Sequence, residues 1–173
     1  MIRIIVIGLV ALILVSFGIY LLVLNQPKGK NPLVDNQIIP VKIKPSETFI
    51  EYNDPSGFSF NYPDNLSIEK SETLDNTTYA DLKLYSNQVS GSLSFRISDS
   101  PYKKIDEWIN LNKSEENTKE VTLGNLKATE IRTKDRLLLG AIDSGVFFNI
   151  EVPLIEEEFW TKVYKKVLAD FSF

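Results

Sequence analysis

The chain has 173 residues, room for one domain with a short extension. It contains neither Cys nor His, which excludes disulfides, Ser-His-Asp and Cys-His nucleophile systems, and imidazole metal ligands. Lys and Arg number 19 against 23 Asp and Glu, a formal charge of −4, so no basic nucleic-acid footprint is visible.

The first element is "IIVIGLVALILVSFGIYLLVL", Ile4–Leu24, 21 apolar or small residues without a charge. That length matches the roughly 20 residues needed to cross a bilayer core. It exceeds the roughly 7–15 residues of a signal-peptide core, and no A-x-A cleavage site follows. A retained anchor over residues 1–24, one transmembrane helix, is therefore expected. Arg3 before the run and Lys28 and Lys30 after it nearly balance, so charge alone does not set the orientation.

Residues 25–47 read as a tether, with Pro27, Pro32, Pro40 and Pro45 among Asn, Gln and Lys. Proline removes backbone donors and favours an extended spacer. Within it, Ile39, Val41 and Ile43 alternate, a pattern that an edge strand also shows.

Residues 48–173 are the folded unit, long enough for its own core. "TFIEY" and "FSFNY" flank the turn "NDPSG" and form a hairpin. "DLKLYS" follows with Leu82 and Leu84 on one face, then "SLSFRIS" with Leu93, Phe95 and Ile97 on one face. In "SPYKKIDEWINLNK" the period changes: Pro101 suits a first helical turn, and Ile105, Trp108 and Ile109 make one stripe. "EVTL" and "LKATEIRT" surround Gly124-Asn125, a two-residue hairpin loop. "RLLLGAI" and "GVFFNIEV" surround Asp143-Ser144, with Gly145 free to turn left-handed. "EEEFWTKVYKKVLADF" is a second helix, its stripe formed by Phe159, Trp160, Val163, Tyr164, Val167 and Leu168. "FSF" closes the chain as a short strand or an extended lid.

Helices do not alternate with every strand. The expected class is α+β: an antiparallel sheet of six or seven strands flanked by helices, preceded by the transmembrane segment.

"GFSFNYP", "LLLGAIDSGVFFNIEVP" and "VLADFSF" resemble the PsbP-like family, over residues 48–173. The resemblance implies an α/β/α sandwich and a non-catalytic role in assembling or docking onto a larger complex. It also implies a place at the outer face of a bacterial membrane, which tips the orientation that charge leaves open. The chain departs from the photosynthetic members in having no His, so imidazole metal binding is not carried over.

Phe58, Phe60 and Tyr62 have the spacing of a stacking platform, yet same-face aromatics on a strand usually fill a core. Trp108 and Trp160 fall on helix stripes and read the same way. Phe49 and Tyr52 cannot share a face of a regular strand. Glu115-Glu116 and Glu156-Glu157-Glu158 lack the oxygen spacing of a calcium loop and read as solvated faces. The loop "SETLDNTTYAD" offers Asp75, Asn76 and Asp81 as oxygen donors, the nearest approach to a metal site. Asn65, Asn76 and Asn112 each begin a glycosylation pattern, expected by chance in an Asn-rich chain.

The sequence thus points to a single-pass membrane protein, held by residues 4–24. It displays an extracytoplasmic domain for protein docking or envelope-complex assembly. No catalytic residue, cofactor, metal site or nucleic-acid partner is expected. The alternative is a small-ligand or divalent-cation binding domain using the 71–81 loop.

Overall fold

The structure, a computed structural model, describes residues 42–112 and 118–173. The apolar run Ile4–Leu24, most of the expected tether and Glu115-Glu116 lie outside these residues. Among the described residues no helix is long and apolar enough to cross a membrane.

The chain folds as β1 (Phe49–Asn53), β2 (Ser59–Pro63), β3 (Ser67–Lys70), β4 (Thr78–Tyr85) and β5 (Ser92–Asp99), then α1 (Ile105–Asn112). It continues as β6 (Thr118–Leu123), β7 (Leu126–Arg132), β8 (Arg136–Asp143), β9 (Val146–Pro153) and α2 (Glu157–Asp170). This is an α+β fold. Seven strands make one antiparallel sheet in the order β3-β4-β5-β9-β8-β7-β6. From β5 the chain passes through α1 to the far edge at β6. It then meanders back strand by strand until β9 pairs with β5.

The two faces differ. Inward-pointing residues of one face are Ala80, Leu82 and Leu84 of β4, Leu93, Phe95 and Ile97 of β5, and Phe148, Ile150 and Val152 of β9. All are buried in the main core with the α2 stripe Phe159, Trp160, Val163, Tyr164 and Val167. The opposite face holds a smaller core in which Trp108 of α1 meets Ile131, Leu138 and Phe147. Tyr102 stands edge-on to Phe147 at 5.3 Å between ring centres. Leu138 and Leu139 are adjacent on β8 and serve opposite cores, as a pleated strand requires. The two helices therefore lie on opposite faces of the sheet.

The opening hairpin is not part of the large sheet. β1 and β2 pair only with each other, as a two-stranded unit. Their aromatics cover the half of the main-core face that α2 leaves open. Phe60 stacks on Phe95 of β5 at 4.9 Å and Phe58 on Phe171 at 5.5 Å. The core reading of these aromatics holds: Phe58 and Phe60 are buried, and Tyr62 is half-buried against the same core. Phe49 and Tyr52 diverge as expected: Tyr52 enters the core, while Phe49 is exposed under the Lys166 ammonium, 4.3 Å from its ring centre.

Three local details depart from the sequence reading. β3, "SIEK", has one half-buried apolar residue, too little periodicity to announce a strand, and exists because β4 offers it an edge. α1 starts at Ile105 instead of at Pro101. Tyr102 precedes the helix and contacts Phe147, its N–H donating to Ser100 Oγ at 3.2 Å, and Glu107 caps the helix by accepting from Lys103 N at 3.0 Å. The β8–β9 loop is Ser144-Gly145, one residue later than Asp143-Ser144. Asp143 pairs with Val146, and both loop residues have positive φ, 49° and 82°, the geometry of a type I′ turn.

The end of the chain and the end of the tether are both tied down. Ser172 bridges Ser59 through two backbone hydrogen bonds of 2.9 Å, so "FSF" is both a short strand and a cover over Phe58. Asn65 brackets the entering chain, accepting from Ser46 N at 3.0 Å and donating to the Lys44 carbonyl at 3.1 Å. Lys42 pairs with Glu158 at the start of α2. Residues 42–44 form no strand.

Candidate functional site: the open face of the sheet

α1 covers only the β7–β8–β9 part of its face. Over β4 and β5 that face is open, and the period-two pattern supplies its side chains. β4 presents Asp81, Lys83 and Tyr85, and β5 presents Ser92, Ser94, Arg96 and Ser98, each alternating with a core residue; across a register shift at Tyr79, Thr78 joins them opposite Ser98. β9 adds Asn149 and Glu151, and β8 adds Arg136. Serines on three of the four outward β5 positions make the strip low and flat. Charged groups stand on either side of it.

Two guanidinium groups organise these charges. Arg96 lies directly across from Asp81 in the β4–β5 register. Its Nη1 is 4.0 Å from Asp81 Oδ2, its Nη2 is 3.7 Å from Asp75 Oδ2, and Nη2 donates to Thr78 Oγ1 at 3.2 Å. Arg136 reaches Glu151 at 2.6 Å and Asp135 at 3.3 Å, and Glu151 also accepts from Asn149 at 3.3 Å. A cleft of 560 Å³ opens beside this second group, lined by Ser92, Ser94, Lys134, Arg136, Glu151 and Ile155. At the far end Tyr79 donates its phenol to Asp99.

The three sequence-selected donors fall at the rim of this face. Asp75 Oδ1 accepts from the backbone and hydroxyl of Thr77 at 2.9 and 2.7 Å. Hydrogen bonds from Thr77 and Thr78, with the Arg96 charge, hold its carboxyl down at about 2. Asp81 belongs to β4, not to the loop, and Asn76 is exposed on the turn between them. The structure brings Asp75 and Asp81 together, but around Arg96. Among the described residues no cluster of three or more Asp or Glu is arranged to hold a metal ion. Sequence reasoning did not single out Arg96, although the signal is there: β5 carries one outward charge, Arg96, and β4 carries an outward charge of opposite sign, Asp81, besides Lys83. Only the register shows that the two charges face each other.

In the run Glu156-Glu157-Glu158, the last two residues are engaged in ion pairs. Glu157 accepts from Arg132 at 2.8 Å. Glu158 takes Lys42 and, one turn on, Lys162 at 3.1 Å, and these two cations pull its carboxyl down to about 2.

Chemically, the open face can hydrogen-bond and form ion pairs. The serine hydroxyls have no His beside them anywhere in the chain. No protein-family model matches this sequence, and no curated protein matches it.

Proposed function

We propose that the protein is a membrane-anchored docking domain of PsbP-like type. Its apolar run Ile4–Leu24 is a retained transmembrane anchor, its folded part lies outside the cytoplasm, and a partner protein rests on the open β4–β5–β9 face. The observation that carries this reading is the unequal finish of the sheet. One face is closed by α2 and the β1–β2 hairpin; the other is closed by α1 over β7–β9 alone, leaving a flat hydroxyl strip rimmed by ion pairs. On such a surface, charges of both signs would set specificity and encounter rate more than affinity. The placement of helices on both faces agrees with the sandwich that the family resemblance implies. The alternative, a cation site in the 71–81 loop, is weakened by the Arg96 guanidinium between Asp75 and Asp81.

The test is photo-cross-linking from the full-length protein in its own membranes, with the photoreactive residue at position 94 or, as a control, at position 162. A discrete adduct from position 94, reduced by Arg96→Glu and absent from position 162, is the expected result. No adduct from position 94 defeats the docking face. Recovery of the protein in the soluble fraction defeats the anchor.

A further inference from the structure

The two outer strands of the large sheet are finished differently. β3 is four residues long, and its charged residues Glu69 and Lys70 point to opposite faces. β6 has six residues and no proline. Its pairing with β7 runs without a bulge from Thr118↔Ile131 to Leu123↔Leu126. One edge of β6 is taken by β7, and among the described residues no strand takes the other. Edge strands are ordinarily blunted by shortness, proline, bulges or charge. On β6 only Lys119 and Glu120 serve that end, and they too face opposite ways.

A depression flanks this edge on each face. On the α2 side it measures 440 Å³ and is lined by Lys119, Val121, Arg132, Leu137, Lys165 and Leu168. On the α1 side it measures 510 Å³ and is lined by Ile105, Glu120, Thr122, Lys127 and Thr129. Successive residues of a strand point to opposite faces, so a strand laid along β6 would send alternate side chains into the two depressions.

The charges indicate what would enter. On the α2 side Arg132 is paired with Glu157 at 2.8 Å, while Lys119 and Lys165 have no ion pair among the described residues. Glu130, directly across from Lys119 in the β6–β7 register, accepts the Tyr164 phenol at 2.7 Å and offsets one of these two ammonium charges, so one positive charge is left over. An acidic side chain with an aliphatic stem fits, its carboxylate on the lysines and its stem on Val121 and Leu168. The α1 side, with Ile105 and two threonines, fits a small β-branched side chain.

We propose that the outer edge of β6, unpaired among the described residues, receives an extended segment of a partner protein by strand addition, the segment alternating acidic and β-branched residues. This site is separate from the open face, so either can fail alone.

The test uses the full-length protein in non-ionic detergent and a fluorescent nine-residue peptide of alternating glutamate and valine. Binding is read by anisotropy and by hydrogen exchange of the Thr118–Leu123 amides. The expected result is saturable binding that protects those amides. It should weaken at least tenfold with Lys119→Glu, with lysine replacing glutamate in the peptide, or with N-methylation of alternate peptide nitrogens, and be unchanged by Arg96→Glu. No binding at millimolar peptide, equal binding of the N-methylated peptide, or equal weakening by Arg96→Glu and Lys119→Glu would each overturn the proposal.

Discussion

Tyr164 of α2 donates its phenol to Glu130 of β7 at 2.7 Å, across the interface between the last helix and the sheet. The tyrosine is 2% exposed and sits in the main core, so its hydroxyl is a polar group that α2 inserts among Trp160, Val163 and Val167. A buried hydroxyl without a partner costs about 1–3 kcal/mol, and here the bond to a carboxylate removes that cost.

Tyr164→Phe should therefore destabilise the fold by about 1–2 kcal/mol, mostly by leaving Glu130 without its donor. The same pair shapes the alkaline limb. Burial first, then the hydrogen bond and charge of Glu130, push the Tyr164 phenol above its ordinary value, and burial with Asp54 does the same to Tyr52. A group whose folded pKa is raised contributes stability that is complete below its unfolded value and declines as pH climbs past it. Urea midpoints should hold to about pH 10, the free tyrosine value, and fall above it. Tyr164→Phe should flatten that fall; an unchanged slope would remove Tyr164 as its source.

The acid limb runs the other way. Asp170 is held below its ordinary range by the Lys166 ammonium at 2.6 Å and by Asn61 at 3.0 Å. For Asp54, burial pushes up, but hydrogen bonds from Tyr52 and Ser56 and the charge of Lys70 outweigh it and the net shift is down. Depressed carboxyls stabilise above their unfolded pKa and lose that contribution as pH falls through the folded one. Since Asp75 and Glu158 reach about 2, the fall should lie between about pH 4, the ordinary carboxylate value, and pH 2. Asp170→Asn should cost about 1 kcal/mol at pH 7 and make the acid limb shallower. Urea titrations at half-unit pH steps would show this.

Much of this architecture is legible in the sequence because single strands and helices carry their own period. Leu93, Phe95 and Ile97 announce a face, and all three are buried. The α2 stripe and the Gly124-Asn125 loop are likewise local, and Leu123 pairs with Leu126 across that loop. What periodicity omits is the partner. Phe58 and Phe60 declare a buried face but not that it lies on Phe95 of another sheet. Ile68 alone cannot mark β3, whose pairing comes from β4. Asp75 and Asp81 suggest a cation, and the cation is Arg96, brought across by a register set far from it in the chain. The site is less readable than the fold for this reason: its parts are single outward residues with no repeat to reveal them.

Gly140 is a seat for a ring, a role that strand periodicity does not reveal. It lies on β8 directly beneath the Trp108 ring. A Cβ there would come within 2.7 Å of Trp108 Cζ3 and 2.8 Å of Cε3. Gly140→Ala should lift the indole, costing about 1–3 kcal/mol by overpacking and red-shifting the Trp108 emission. Trp108→Leu should cost roughly 3 kcal/mol alone through the space it leaves. Combined with Gly140→Ala it should cost at least about 1 kcal/mol less than the sum of the two, because the new methyl then enters vacated space. Strict additivity would show that the ring does not rest on Gly140.

The aromatic stack joining the hairpin to the rest of the domain gives the last prediction. Phe60 lies between Phe95 at 4.9 Å and Phe171 at 6.2 Å, and Phe58 stacks on Phe171 at 5.5 Å. These rings link three parts that are also joined by the Ser59–Ser172 backbone bridge and by side-chain contacts, Asn61 with Asp170, Lys166 over Phe49 and Lys70 with Asp54. Phe60→Ala should cost about 3–5 kcal/mol, the usual range for a buried ring. Ser172→Pro, which removes one donor of the bridge and no ring, should cost about 1 kcal/mol. If the rings carry the attachment, Phe60→Ala should also expose the hairpin amides of residues 49–53 and 59–63 to hydrogen exchange before the β5–β9 amides open. Simultaneous opening of both sets would mean that the hairpin and the seven-stranded sheet unfold as one unit and that the stack is no boundary between them.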